Sequence, residues 1–309
     1  MLNINWEQLL NVDFQNIKHS ISPTENQYLI KINDFQVDFV KDKNNFIVSP
    51  DNWIEEKITS EKIHEPRMIS WLFAFSEIFK KKKIVFYDIG ALFGFHSFIF
   101  SKISQNSKII AIEGNPLSAN YISKNVNNNN SQNFEVINCV VDNVEDKKKF
   151  LIDAFSIQPT NKSLIKYALK NKFKFLFSNA FRSKKNFWIK KLVQKIDSKT
   201  IDSILIPYSK DNIEILKIDT EGHQAIFLPS STTNLISRNA ILLLELDDPK
   251  LMKSFNSSNG ELVKPFLENG YNAYWTLHRD KNSQVKKISE IKDIYDCNSL
   301  VTLIPKKFI

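Results

Sequence analysis

Short apolar runs recur along this chain, and between them lie stretches with helical spacing. Ile84-Val-Phe-Tyr87 is the clearest run, and it predicts a strand buried on both faces. Lys80 to Lys83 mark where it leaves solvent, Asp88 ends it, and Gly90 and Gly94 follow. Phe95, Phe98, Ile99 and Ile103 then share one face of a helix. Lys108 to Ile112 predicts a second strand ending at Glu113, after which Gly114-Asn115-Pro116 opens a helix carrying Leu117, Tyr121, Ile122 and Val126. Phe134 to Val141 predicts a third strand, ending at Asp142-Asn143. Ile213 to Ile218 predicts a fourth, ending at Asp219, and Thr220-Glu221-Gly222-His223 turns into a helix with Ala225, Ile226 and Phe227 inward. Ala240 to Leu244, Tyr271 to Leu277 and Leu300 to Ile304 supply three more strands, with a helix over Leu262 to Leu267. Strands alternating with helices predict a doubly wound, mostly parallel α/β sheet of seven strands.

Two regions break that alternation. Residues 1–64 read as an N-terminal extension, in which Tyr28 to Ile32 and Phe35 to Val40 form a hairpin around Asn33-Asp34 and Phe46 to Val48 adds a short strand. His64-Glu65-Pro66 then opens a helix with a wide apolar face that leads to the Ile84 strand. Residues 65–309 form the main domain, interrupted by a lysine- and aromatic-rich insertion at about 155–197. Its core, Lys162 to Lys195, sets Phe173, Phe175, Phe177, Phe181, Phe187 and Trp188 among lysines. It is expected to be an amphipathic helical insertion packing on the core, with a lid or acceptor platform as the functional alternative.

Composition narrows the class. The 309 residues carry 42 basic and 34 acidic side chains, a net charge of +8. All but four of the basic residues are lysine, the exceptions being Arg67, Arg182, Arg238 and Arg279. Base and phosphate recognition favours the arginine fork, so no specific nucleic-acid partner is expected. No apolar run approaches the length of a membrane span, the first residues lack the pattern of a signal peptide, and a cytoplasmic protein is expected. Cys139 and Cys297 are the two cysteines, which gives neither a disulfide framework nor a zinc spacing. The oligomeric state is not legible.

Three consecutive strands end in acids: Asp88, Glu113 and Asp142. In a right-handed βαβαβ unit these lie at one sheet edge. An acid after the first strand repels a pyrophosphate, and the glycine spacing departs from the dinucleotide fingerprint. A donor with an α-amino group suits the site better, and S-adenosyl-L-methionine is the expected cofactor. Asp88 is placed to accept from its amino group, Gly90, Ala91 and Gly94 to pass close to its methionine part, and Glu113 with Gly114 to hold the ribose hydroxyls. Asp142 and Asn143 are placed for the adenine amino group.

The stretches DIGALFGFHS (88–97), AIEGNP (111–116) and LKIDTEGHQAIFL (216–228) resemble the FkbM-type methyltransferases. The third is the most specific. Thr200-Ile-Asp-Ser-Ile204 and Leu244-Glu245 also match, and the resemblance covers roughly residues 60 to 250. Leu92 stands where an Asn is common, and Gln224 where a Glu is frequent. The resemblance implies a class I, Rossmann-like, S-adenosylmethionine-dependent methyltransferase. It also implies that the region of Glu65 closes over the donor. Asp219, Glu221 and His223, after the fourth strand, are the expected catalytic residues, with Asp219 or His223 as base. No metal is expected, because the residues lack clear ligand spacing. The expected reaction is O-methylation of a sugar, glycan or secondary-metabolite hydroxyl. The alternatives are N- or nucleic-acid methylation, or a non-catalytic binding protein of the same fold.

Overall fold

The computed structural model describes residues 4–42, 50–58, 62–152, 157–159, 193–294 and 297–308. After a short helix, α1 (Trp6–Gln8), strands β1 (His19–Pro23), β2 (Gln27–Ile32) and β3 (Phe35–Val40) form an antiparallel sheet. Asn33, at φ +52°, makes the β2–β3 turn where the sequence places it. The preceding strand β1 was not anticipated, since its side chains alternate too weakly. The expected strand at Phe46 to Val48 lies outside the described residues.

Helices α2 (Pro50–Lys57) and α3 (Pro66–Ile78) lead to strand β4 (Lys83–Ile89). Then follow α4 (Phe95–Ile103), β5 (Ser107–Ile112), α5 (Pro116–Asn128), β6 (Phe134–Ile137) and β7 (Val140–Val141). The extension is clamped to this unit. Phe39 packs edge-on to Phe98 at 5.4 Å, and the Tyr121 hydroxyl donates to the Val40 carbonyl at 2.8 Å. Trp6 lies 5.6 Å from Trp71 of α3, so both parts share one apolar core.

The expected third strand does not run unbroken to Val141. It breaks at Asn138, whose side-chain amide donates to the carbonyls of Glu113 and Gly114 instead of facing a neighbouring strand. β7 then leaves for a second sheet with β8 (Asp146–Ile152), β9 (Ile157–Pro159) and β10 (Val193–Lys199), in the order β7-β10-β8-β9. These strands flank the lysine- and aromatic-rich segment. The expected helix between them falls on residues outside those described.

The chain continues through α6 (Ile201–Ile204), β11 (Asn212–Ile218), α7 (Gln224–Arg238) and β12 (Ile241–Leu246). It ends with α8 (Pro249–Ser254), α9 (Asn259–Glu268), β13 (Tyr271–Thr276), β14 (Lys286–Ile288) and β15 (Ser299–Pro305). The main sheet has the order β14-β13-β15-β12-β11-β4-β5-β6. Six of the seven expected strands belong to it, as does the first half of the third, and β14 is a short eighth at the edge. β12, β11, β4, β5 and β6 are parallel; β15 is antiparallel to both β12 and β13. The order reverses beside β4, and open sheets of this kind bind ligands at the strand C-termini there. No helix among the described residues is long and apolar enough to cross a membrane.

Candidate active site

A cavity of about 470 Å³ opens at that edge, within the size range of small-molecule sites. Seven of the twelve expected site residues line it: Glu65, Gly90, Glu113, Gly114, Asp219, Glu221 and His223. Asp88, Ala91, Gly94, Asp142 and Asn143 do not.

Among the described residues, seven non-glycine residues have positive φ, and four of them are asparagines, for which this is ordinary. The other three, Glu65 (+49°), Leu92 (+53°) and Glu221 (+53°), all line the cavity. Left-handed backbone costs an L-residue roughly 1–2 kcal/mol, and such strain concentrates at functional sites. Leu92 thus occupies the conformation that favours the Asn it replaces.

Gly90 has a structural reason of its own. A Cβ there would lie 1.8 Å from the Asp219 carbonyl oxygen, so the turn after β4 packs backbone to backbone against the loop after β11. The turn also presents the Leu92 N–H, which donates to Glu113 Oε2 at 2.7 Å; Glu113 Oε1 accepts from the Asn115 N–H at 2.7 Å. An ionised carboxylate has about four acceptor positions, so each oxygen keeps one for a ligand. Burial pushes the Glu113 carboxyl up to about 7, against these two donors.

Asp88 does not line the cavity and is buried beside Lys217. In the β4–β11 register it stands opposite Lys217. Lys217 Nζ lies 3.1 Å from Asp88 Oδ1 and 3.3 Å from Asp219 Oδ2. Ser97 Oγ donates to Asp88 Oδ2 at 2.6 Å. Burial alone would lower the Lys217 ammonium, but the two carboxylates outweigh it and raise it. Burial likewise works to raise Asp219, yet Lys217 holds it below the usual carboxylate range. Lys217 lies within the third motif. A lysine inside an apolar strand was the signal for a buried partner.

Asp142 is buried, and its Oδ1 accepts from the Asn143 N–H at 2.8 Å and stands 3.9 Å from His223 Nε2. Asn143 is exposed. The Asp219-to-His223 turn is braced from behind. Asp247 Oδ2 accepts from the Gly222 N–H at 2.9 Å and from the Gln224 side-chain amide. Gln224 Oε1 accepts from Thr220 Oγ1 at 2.7 Å. Gln224 is therefore a brace that donates to a carboxylate, which a Glu at this position could do only when protonated.

On the other side of Asp219 lies a group that sequence reasoning largely missed. Glu65 Oε1 is 3.2 Å from His64 Nε2 and 3.6 Å from His278 Nε2. Glu245 Oε1 accepts from Arg279 Nη2 at 2.8 Å. β13 and β12 run the same way on either side of β15, so His278, just past β13, reaches the edge where Glu245 stands. The Arg67 N–H donates to the His278 carbonyl at 3.1 Å and ties that loop to the start of α3. Burial would raise Glu65, but His64 and His278 hold it well below its ordinary value. Burial and then Asp219 raise Glu245. His96 Nε2 stands 3.5 Å from Glu65 Oε2, and burial pushes its imidazole down to about 4. Nothing local in the sequence connects His278 or Arg279 with Glu65.

The strand order, the acidic edge and the cavity define an α/β enzyme of the doubly wound class. The methyltransferase FkbM domain model matches residues 88–273, and the chain belongs to that family of S-adenosylmethionine-dependent methyltransferases. No curated protein matches the chain. Among solved structures it is similar to the SAH-bound Podospora anserina methyltransferase PaMTH1, at 11% identity and TM-score 0.39, over 83% of this chain and 82% of that one. It is also similar to the Bacillus cereus O-methyltransferase in complex with SAH, at 12% and 0.37, over 78% and 81%. A third is the precorrin-6y C5,15-methyltransferase of Geobacter metallireducens GS-15, at 11% and 0.37, over 77% and 89%. The class rests on the strand order and the family, not on these distant likenesses. The residues fit the donor: Glu113 retains free acceptor positions on the cavity wall, at the end of the strand next to β4.

Proposed function

We propose that the protein O-methylates an alcohol of a sugar, glycan or secondary metabolite. The bound donor supplies an electrophilic methyl group. Glu113 and Gly114 hold its ribose. Asp88 acts from behind the wall, through Lys217, rather than by direct contact. One observation supports the choice of acceptor: Asp219, held ionised beside Lys217, lines the cavity together with His223, Glu65 and Glu221, while Lys57, Lys62 and Arg279 supply its cations. An amine placed against the ionised Asp219 is held as ammonium, which has no lone pair to attack with. A neutral hydroxyl keeps its nucleophilic oxygen and can give its proton to a carboxylate or imidazole. Because Lys217 keeps Asp219 ionised, Asp219 is suited to accept a hydrogen bond from the hydroxyl and orient it. His223, at the start of α7, then takes the proton.

The test is S-adenosylhomocysteine release with a panel of sugars, sugar nucleotides and alcohols, beside matched amines and oligonucleotides. A mass gain of one methylene on a hydroxylated acceptor is expected. Turnover on the amines or oligonucleotides alone would overturn the reading. With an acceptor in hand, Asp219→Asn should lower turnover roughly 10²–10⁴-fold while donor affinity holds. A normal rate with a lowered melting temperature would make Asp219 a structural residue.

A further inference from the structure

Glu65, Glu245 and His278 are brought together from three distant parts of the chain, with the His278 imidazole in ion-pair contact with both carboxylates. His278 Nε2 stands 3.6 Å from Glu65 Oε1 and 3.4 Å from Glu245 Oε1. These separations are long for hydrogen bonds between charged groups. They suit atoms that share an ion. Two ligands about 2.1 Å from a metal, at angles of about 90–110°, lie roughly 3.0–3.4 Å apart. One ligand atom from each of the three residues falls within 4.8 Å of the others.

A second observation points the same way. Glu65 Oε2, Glu245 Oε2, both nitrogens of His278 and His96 Nε2 have no hydrogen-bond partner within the protein. All four residues are at most 5% exposed. His96 Nε2 aims at Glu65 Oε2 from 3.5 Å. A buried polar atom left without a partner costs about 1–3 kcal/mol, so native proteins keep few unless a ligand completes them.

We propose that Glu65, Glu245 and His278 form a binding site for one divalent first-row transition-metal ion beside the acceptor end of the cavity. One imidazole and two carboxylates make a mixed nitrogen and oxygen set, which suits Mn²⁺ or Zn²⁺ better than Ca²⁺ or Mg²⁺. Glu65 belongs both to this set and to the cavity wall, so the ion lies where an acceptor oxygen could complete its coordination. That role in turnover rests on the O-methylation reading; the binding itself does not. Arg279 is the resident competitor, with its guanidinium on Glu245 and 3.6 Å from Glu65. Its side chain is 54% exposed, so its guanidinium can be exchanged for solvent when an ion takes the carboxylates.

The experiment uses the full chain, stripped with a chelator and titrated with Mn²⁺, free ion being read by electron paramagnetic resonance. A parallel calorimetric titration with S-adenosylhomocysteine reports donor binding. The wild type should bind about one equivalent of Mn²⁺. Glu245→Gln and His278→Gln should each weaken that binding by at least about 100-fold, beyond the 10–100-fold typical of an outer-shell partner. Arg279→Ala should tighten it, because a competing cation is gone. Wild-type protein that leaves Mn²⁺ free, or ligand variants that bind as tightly as wild type, would overturn the site. Should the ligand variants fail to fold, Arg279→Ala decides: unchanged or weaker binding rejects the proposal. Intact donor binding in a protein that takes no metal would leave the methyltransferase reading standing.

Discussion

Lys217 and Asp88 face each other across the β4–β11 register at 3.1 Å, with only 2% and 1% of their side chains exposed. The pair lies behind the cavity wall and joins the acid of the first motif to Asp219 of the third. Removing one partner of a buried pair leaves a charge with neither water nor counter-ion. Lys217→Met should therefore cost about 3–5 kcal/mol. The double change with Asp88→Asn should recover part of that loss. Chemical denaturation of the three proteins tests this, and a double variant no more stable than Lys217→Met would show that the pair is not coupled.

Glu113 makes a pH-dependent prediction with two readouts. Its folded value, near 7, lies above the unfolded value of 4.5. The folded state therefore holds this proton more tightly. The associated stability is complete below about pH 4.5 and is lost as pH rises through about 7, on the order of 3 kcal/mol in all. Glu113→Gln should flatten that part of the stability profile. Ribose hydroxyls need the ionised carboxylate as acceptor, so affinity for S-adenosylhomocysteine should rise about tenfold between pH 6 and pH 8. Calorimetry across that range, on wild type and Glu113→Gln, is the measurement. A wild-type affinity independent of pH would remove Glu113 from the donor site.

Glu221 is exposed and sits at φ +53°. An Asn there relieves much of the left-handed strain and gives up little buried contact. Glu221→Asn should raise stability by about 1 kcal/mol, or roughly 2–4 °C in melting temperature. If the strain is kept because the carboxylate serves the reaction, turnover should fall in the same variant. A variant that is more stable and fully active would take Glu221 out of the catalytic group.

The order of strands and helices was legible because burial imprints period and polarity on local sequence. Ile84 to Tyr87 could be read as a two-sided buried strand, and Asn33 as a turn, without any knowledge of neighbours. Motifs carried the acids of the edge for the same reason, since each acid follows its own strand directly. The sequence by itself thus determined the doubly wound order, the cavity's location and the residues Glu113 and Asp219 on its wall. Direction and partnership were decided only by the tertiary structure. Asp88 could be read as the acid that ends its strand, but only the register sets Lys217 beside it. Phe134 to Val141 looked like one strand until the Asn138 side chain found carbonyls 24 and 25 residues back in the chain. Glu65, Glu245 and His278 share no local pattern at all. They meet because β13 runs alongside β15 and β12, and because a backbone hydrogen bond ties the following loop to α3. Contacts between residues so far apart depend on how strands pair, and strand pairing leaves no period in the sequence that would betray it.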